Sequence, residues 1–137
     1  MGDEGAAGVL ARAVTAALRA VPGLSGVSDG APIQAGDAHA VVETGPETDW
    51  GHKSGAGAEI RFAVVIRCGG EQPGRTRTLV EQARQAVAAI GAELAAPDGS
   101  ETWRLVSLAM LRSRLVRTPG PSWASAVDYR ARLLRED

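Results

Sequence analysis

The clearest period-2 alternation of hydrophobic and polar residues in the chain lies in AEIRFAVVIRCGG, residues 58–70. Successive side chains of a strand point to opposite faces of the sheet, so this pattern predicts a strand with one apolar face and one mixed face. We expect it to be the central strand of the domain, with the rest of the chain packed on its apolar side. The residues on that side are Ile60, Phe62, Val64, Ile66 and Cys68.

Two segments have the three- and four-residue hydrophobic spacing of amphipathic helices. The first is residues 5–21, which Pro22 and Gly23 terminate. The second is residues 72–96, with Pro73 suited to its first turn. The buried stripe expected for the second helix comprises Leu79, Ala83, Ala86, Val87, Ile90 and Leu94.

The C-terminal part of the chain predicts a hairpin. Residues 102–117 and 123–133 read as long strands, and the proline- and glycine-containing segment 118–122 reads as the turn between them. The first half of 102–117 is apolar on both sides of the alternation, which predicts a strand in the middle of the sheet that is covered on both faces.

The remaining segments complete a single domain. Residues 38–44 predict a strand, and residues 23–37 predict a loop with short strands around Val27 and Ile33. Strands joined by turns are antiparallel, and two helices are enough to cover one face of such a sheet. The fold class is therefore α+β, with a mostly antiparallel sheet and two helices on one face, in one domain over residues 1–137.

The segment between the second strand and the central strand, GPETDWGHKSGAG, is the most irregular part of the chain. Its four glycines and one proline predict an extended, flexible loop over residues 45–57. A long loop between paired strands is often functional. A tryptophan in such a loop either folds back onto the domain or contacts a partner, and interfaces are enriched in this residue. The candidate contact residues are Asp49, Trp50, His52 and Lys53.

Charge is distributed unevenly along the chain. The formal net charge is −1, so no global basic field favours nucleic acid. Residues 1–60 carry eight acids and three bases, whereas residues 101–137 carry four acids and seven arginines. The acidic front and the basic tail either complement each other between neighbouring copies of an oligomer or are ordinary solvated surface.

The C-terminal hairpin contains a possible basic ridge. It would contact nucleic-acid phosphates, pair with an acidic neighbouring subunit, or guard a sheet edge with charge. The net charge of −1 favours the last two alternatives over affinity for DNA. The residues of this ridge are Arg112, Arg114, Arg117, Arg130 and Arg132.

No segment of the sequence predicts a catalytic or metal centre, and no cofactor is expected. The P-loop and the GxSxG elbow are both missing. Asp49 and His52 supply two ligands at most, whereas a metal site needs three or four, and His39 is expected to pack at a sheet face. The single cysteine, Cys68, excludes an internal disulfide and is expected to be a small buried hydrophobic residue. With no apolar run of membrane-spanning length and no signal-peptide pattern, we expect no membrane contact and a cytoplasmic site of synthesis.

Several segments, in their order and spacing, resemble one known family. They are the N-terminal helix with its following turn, the DWGHKSGAGAEIRFAVVI segment, the EQARQAVAAI helix and the C-terminal hairpin, at residues 10–24, 49–66, 81–90 and 105–133. Together they are similar to the tail terminator, or tail-completion, proteins of long-tailed phages and gene transfer agents, whose role is that of the U protein of phage lambda. The proline-tyrosine pair usual before the second strand of that family is replaced here by residues 36–39, GDAH.

The resemblance implies a structural virion protein and not an enzyme. It implies a homohexameric ring at the head-proximal end of the tail tube, assembled in the bacterial cytoplasm and then part of the tail or neck of the particle. Such a ring ends polymerisation of the tail tube protein, docks the head-completion or stopper protein, and passes DNA through its lumen with transient, non-specific contact. It also assigns the loop residues Asp49, Trp50, His52 and Lys53 to contacts with neighbouring subunits or the tube. The alternatives are a ferredoxin-like ligand-binding or enzyme domain and a different head–tail connector, such as a head-closure protein.

Overall fold

The computed structural model describes residues 5–30, 37–53 and 55–136. These residues form two helices and six strands, which confirms the predicted α+β class. The helices are α1 (Gly5–Arg19) and α2 (Gly74–Ala88). The strands are β1 (Gly26–Asp29), β2 (Ala38–Asp49), β3 (Gly57–Gly69), β4 (Glu93–Ala95), β5 (Thr102–Thr118) and β6 (Ser122–Glu136).

The strands form one sheet in the order β1-β2-β3-β6-β5-β4. Every neighbouring pair is antiparallel except β1 and β2, which run parallel. The two middle strands pair along their length, from Gly57 opposite Leu134 to Gly69 opposite Ser122. The predicted central position of the strand in residues 58–70 is therefore confirmed.

The core lies between the helices and one face of this sheet. The alternation read from the sequence matches the burial of β3, since Ile60, Val64 and Ile66 are at most 1 % exposed. Helix α1 contributes its own apolar stripe to the same cluster, with Leu10 and Leu18 also fully buried. We call the helix-covered side of the sheet the inner face and the other side the outer face.

Helix α2 is shorter than predicted. It ends at Ala88, and Leu94, expected on its buried stripe, instead lies in β4 opposite Trp103 of β5. Leu94 is buried, as predicted, but it lies in a strand and not in a helix. Gly91 weakens the helix propensity of the segment that follows Ala88. Pairing with β5 supplies backbone hydrogen bonds to this segment, which therefore forms a strand.

The central position predicted for the first half of residues 102–117 holds for residues 102–104 and is wrong beyond them. Strand β4 pairs only with Thr102, Trp103 and Arg104, and beyond them no other strand in the described ranges pairs with that side of β5. Residues that are apolar on both faces are consequently exposed, at 44 % for Val106 and 41 % for Met110.

The predicted irregular loop over residues 45–57 is too long, since residues 45–49 belong to β2 and Gly57 begins β3. Strand β2 continues to Asp49, and a register shift between Thr44 and Glu47 accommodates Gly45 and Pro46. A Cβ at Gly45 would lie 3.0 Å from the carbonyl oxygen of Arg61, so the close approach of the two strands favours glycine there. The actual connection between β2 and β3 is residues 50–56.

The shorter elements agree with the sequence where they are described. The strand expected around Val27 is β1, and the C-terminal hairpin turns at residues 119–121 with Gly120 at φ 79°. The strand expected near Ile33 lies outside the described residues.

Candidate functional site

The β2–β3 connection is a hydrogen-bonded tip. The Trp50 amide donates to the Gly57 carbonyl at 3.0 Å, and His52 and Gly55 exchange backbone hydrogen bonds at 3.0 Å. The Gly51 amide donates to Oδ1 of Asp49 at 2.9 Å. This network places Asp49, His52 and Lys53, all exposed, together at one end of the sheet.

Trp50, unlike the other three candidate contact residues, folds back onto the domain. Its ring lies against the outer face, with the guanidinium carbon of Arg132 5.5 Å from the ring centroid. Arg132 in turn donates from Nε to Oε1 of Glu59 at 2.9 Å. The hydrogen bond from Arg132 lowers the pKa of Glu59, and the nearby charges of Arg132, Arg130 and Arg61 act in the same direction.

The strand register separates the five arginines of the predicted ridge. Residues directly opposite each other in paired strands point to the same face. Arg112 faces Asp128 and Arg114 faces Ala126, which places both on the outer face with Arg130 and Arg132. Arg117 is opposite Trp123, which is itself opposite the buried Cys68, so Arg117 lies on the inner side.

Two arginines that the sequence analysis did not single out also lie on the outer face. Arg61 is opposite Arg130, and Arg67 is opposite Ala124. Nε of Arg130 is buried and has no hydrogen-bond partner in the described part of the chain. The signal for this arrangement was present, because Arg61 and Arg67 occupy the polar side of the alternation that defined β3.

A second outer-face arginine, like Arg132, is held by an acid. Arg112 donates from Nε to Oδ2 of Asp128 at 2.7 Å. A groove of about 550 Å³ adjoins this pair, bounded by residues 43–46 of the β2 bulge and by Arg61. Its described lining residues include no His, Cys or Ser, so a nucleophile–histidine arrangement is not found there.

A second groove of about 300 Å³ lies on the other side of Arg112 and Asp128, lined by Arg67, Arg114 and Val116 among others. The two grooves follow the outer face of the sheet from β2 to the β5–β6 hairpin. Arginine and aliphatic residues dominate the second groove, whereas the first has a mixed lining of charged, aromatic and small residues. These linings suit contact with an anionic or mixed surface more than acid–base chemistry.

The two other side chains considered for chemistry, His39 and Cys68, are each buried. His39 is 7 % exposed on β2, and Cys68 is 2 % exposed on the inner face, which confirms the packed positions expected for both. Across residues 5–30, 37–53 and 55–136 no group of three or more His, Cys, Asp or Glu is placed to hold a metal ion. In the same ranges no helix has both the length and the hydrophobicity needed to cross a membrane.

Two stretches of strand have an open edge. Strand β1 pairs with β2 only as far as Val42, and within the described ranges no strand pairs with that side of residues 43–49. Towards the opposite end of the strand order, residues 106–118 of β5 also have no paired strand on the side away from β6 within the described ranges. Unpaired amide and carbonyl groups in such edges are templates for pairing with another chain.

Comparison with known proteins gives one informative kind of match. No protein-family model and no curated protein sequence matches the chain. Among solved structures, the chain is similar to a protein chain in the virion of a native gene transfer agent particle, with a TM-score of 0.64 and 27 % sequence identity. The match covers 96 % of this chain and 99 % of that one.

This likeness marks the chain as a structural protein of a phage or gene transfer agent particle. The near-complete coverage of both chains means that the whole domain corresponds, not a shared substructure. The likeness places the chain in the virion or a phage-like particle.

Proposed function

We propose that this virion protein is the tail terminator, a non-enzymatic ring of six copies that ends polymerisation of the tail tube and joins the tail to the head. The observation that carries the proposal is the full-length likeness to a chain of a gene transfer agent virion. The order of motifs that resembles tail terminators supports the position within the particle.

The hairpin tip is our candidate for contact with the tail tube protein or the head-completion protein. Asp49, His52 and Lys53 are exposed there, on a short connection that backbone hydrogen bonds hold in one shape. A preorganised tip loses little conformational entropy on docking, which favours its use as a contact surface.

The outer face is our candidate for transient contact with DNA in the lumen. Arg61, Arg67, Arg114 and Arg130 share that face, and phosphate contacts made by arginine are independent of sequence and sensitive to salt. Weak binding of duplex DNA of any sequence, reduced in Arg67→Ala with Arg114→Ala and abolished by salt, would agree with this role. Binding that depends on base sequence would contradict it.

The experiment that tests the proposal is deletion of the gene from a producing strain, followed by electron microscopy of the particles. A missing terminator leaves overlong tails and heads without tails, and the wild-type gene restores joined particles of normal tail length. A deletion that leaves full heads with leaking DNA and tails of normal length would instead favour a head-closure protein. Particles of normal structure would exclude both roles.

A further inference from the structure

The large hydrophobic side chains that are exposed in the described residues share one strand. They are Val106, Met110, Leu111 and Val116, all on β5. Met110 is opposite Tyr129 of the inner face, whereas Val116 is opposite Ala124 of the outer face. Both faces of β5 are therefore uncovered along a stretch whose edge also has no paired strand within the described ranges.

This edge is strongly basic, and the other open edge of the sheet is strongly acidic. Residues 106–118 carry three arginines and no acid, whereas residues 43–49 carry three acids and no base. A second copy of the chain thus offers a strand edge of opposite charge to the β5 edge. The charged residues are Arg112, Arg114 and Arg117 on one edge and Glu43, Glu47 and Asp49 on the other.

The two edges also match in level and direction. Thr44, Phe62, Tyr129 and Met110 lie side by side in one row across the sheet, at the same level along the strands. Beside that row, β2 has a register shift against β3 and β5 has one against β6. Strand β2 runs antiparallel to β5, since three antiparallel pairings separate them. A rotation about an axis along the strands keeps these directions, so successive copies would meet in the antiparallel arrangement.

We propose that residues 106–112 of the β5 edge dock against the β2 edge, residues 43–49, of a second copy in a head-to-tail contact. The contact places aliphatic residues of β5 beside the neighbouring strand and sets Arg112 level with Glu43 on the outer face. It is heterologous, and its repetition gives a closed ring when the rotation between successive copies closes. The inference rests on the proposed ring, for which it names the joining surfaces.

Cysteine cross-linking tests the contact directly. In a Cys68→Ala background, Thr44→Cys combined with Met110→Cys should give, with a short bismaleimide, a ladder of covalent oligomers that ends at a closed ring. A mixture of the two single-cysteine proteins should stop at dimers. The matched control is Gln82→Cys with Met110→Cys, because Gln82 is exposed on α2 and should give no ladder.

Charge reversal tests the pairing of the edges. Arg112 and Glu43 are the arginine and the carboxylate that share a level and the outer face. Arg112→Glu and Glu43→Arg should therefore each weaken self-association by about tenfold, the change that about 1.4 kcal/mol produces, and the double variant should recover it. Native mass spectrometry and sedimentation measure the assembly of protein alone and of protein bound to tails. Circular dichroism confirms that each variant is folded.

The outcomes separate the contact from the ring. A six-copy assembly that both single reversals leave unchanged, or that the control pair cross-links equally well, overturns the edge contact and leaves the ring standing. A chain that stays monomeric at every concentration, alone and on tails, overturns both.

Discussion

Arg132 of β6 and Glu59 of β3, directly opposite each other in the sheet, are joined by a hydrogen bond of 2.9 Å between Nε and Oε1. The same guanidinium lies over the ring of Trp50. One arginine thus connects the hairpin tip to the middle of the outer face. The cluster joins the hairpin tip and the start of β3 to a residue of β6 that is 73 positions further along the chain.

The Glu59 carboxylate should make the fold more sensitive to acid. Its pKa is lowered by the hydrogen bond from Arg132, so it stabilises the folded state above the ordinary glutamate pKa. This contribution is lost as the pH falls from that value through the folded-state pKa. Urea unfolding across the acidic range should show wild type and Glu59→Gln converging as the pH falls. A constant difference between them would contradict the assignment.

Trp50 should contribute modestly to stability and more to assembly. Trp50→Ala removes an exposed cation–π contact worth about 0.5–1 kcal/mol, so the monomer should stay folded. In an Arg132→Gln background the same substitution should cost less, which a double-mutant cycle measures. Particles made with Trp50→Ala should show overlong or unjoined tails. Normal particles would show that the tip is not a contact surface.

The sequence predicts those parts of the fold in which one face is buried. The alternation of β3 and the stripe of α1 follow from burial on one side alone, and the structure confirms both. Strand β4 and the end of α2 were missed because an edge of β5 captures residues that are otherwise compatible with a helix. That competition depends on a partner strand and leaves no local pattern.

The candidate surfaces were less predictable than the fold. Strand β5 has apolar residues on both faces. This pattern fits a strand that its own chain covers, and it fits equally well a strand left open for another chain. Period-2 alternation alone would have separated Arg117 from Arg112 and Arg114, because both register shifts in β5 lie before residue 112. The contact between Trp50 and Arg132 required the register of β3 against β6.

Ile66 should be indispensable for the fold. It is fully buried in the inner face between Ala40 and Ser125, so Ile66→Asp places an unpaired charge in the core and should leave the monomer unfolded. Ile66→Val should cost only about 0.5–1.5 kcal/mol. The matched control is Arg67→Asp, which changes the next, exposed position on the outer face and should leave the chain folded. A folded Ile66→Asp variant would show that the faces are assigned in reverse.

Tyr129 should titrate late and destabilise the fold when it does. Burial raises its pKa, and its ring stacks on Phe62 with centroids 4.9 Å apart. A raised pKa means that its contribution is complete below the ordinary tyrosine pKa and is lost as the pH rises through the folded-state value. It is the only tyrosine in the sequence, so an ultraviolet titration reports it alone. Tyr129→Phe keeps the stack and should lose less stability at alkaline pH than the wild type. Equal losses would assign the alkaline transition to other groups.

Gly57, where the hairpin tip rejoins β3, should not tolerate a side chain. A Cβ there would lie 2.7 Å from the carbonyl oxygen of Trp50 and 3.0 Å from that of Leu133, and backbone atoms cannot move aside cheaply. Gly57→Ala should therefore destabilise the domain by about 1–3 kcal/mol, as overpacking does. Gly74→Ala is the matched control, because a Cβ at the start of α2 meets nothing within 4 Å and should stabilise the domain by about 0.4–1 kcal/mol. Thermal unfolding of the two variants measures both effects. A Gly57→Ala domain as stable as the wild type would mean that the tip is not held in the described conformation.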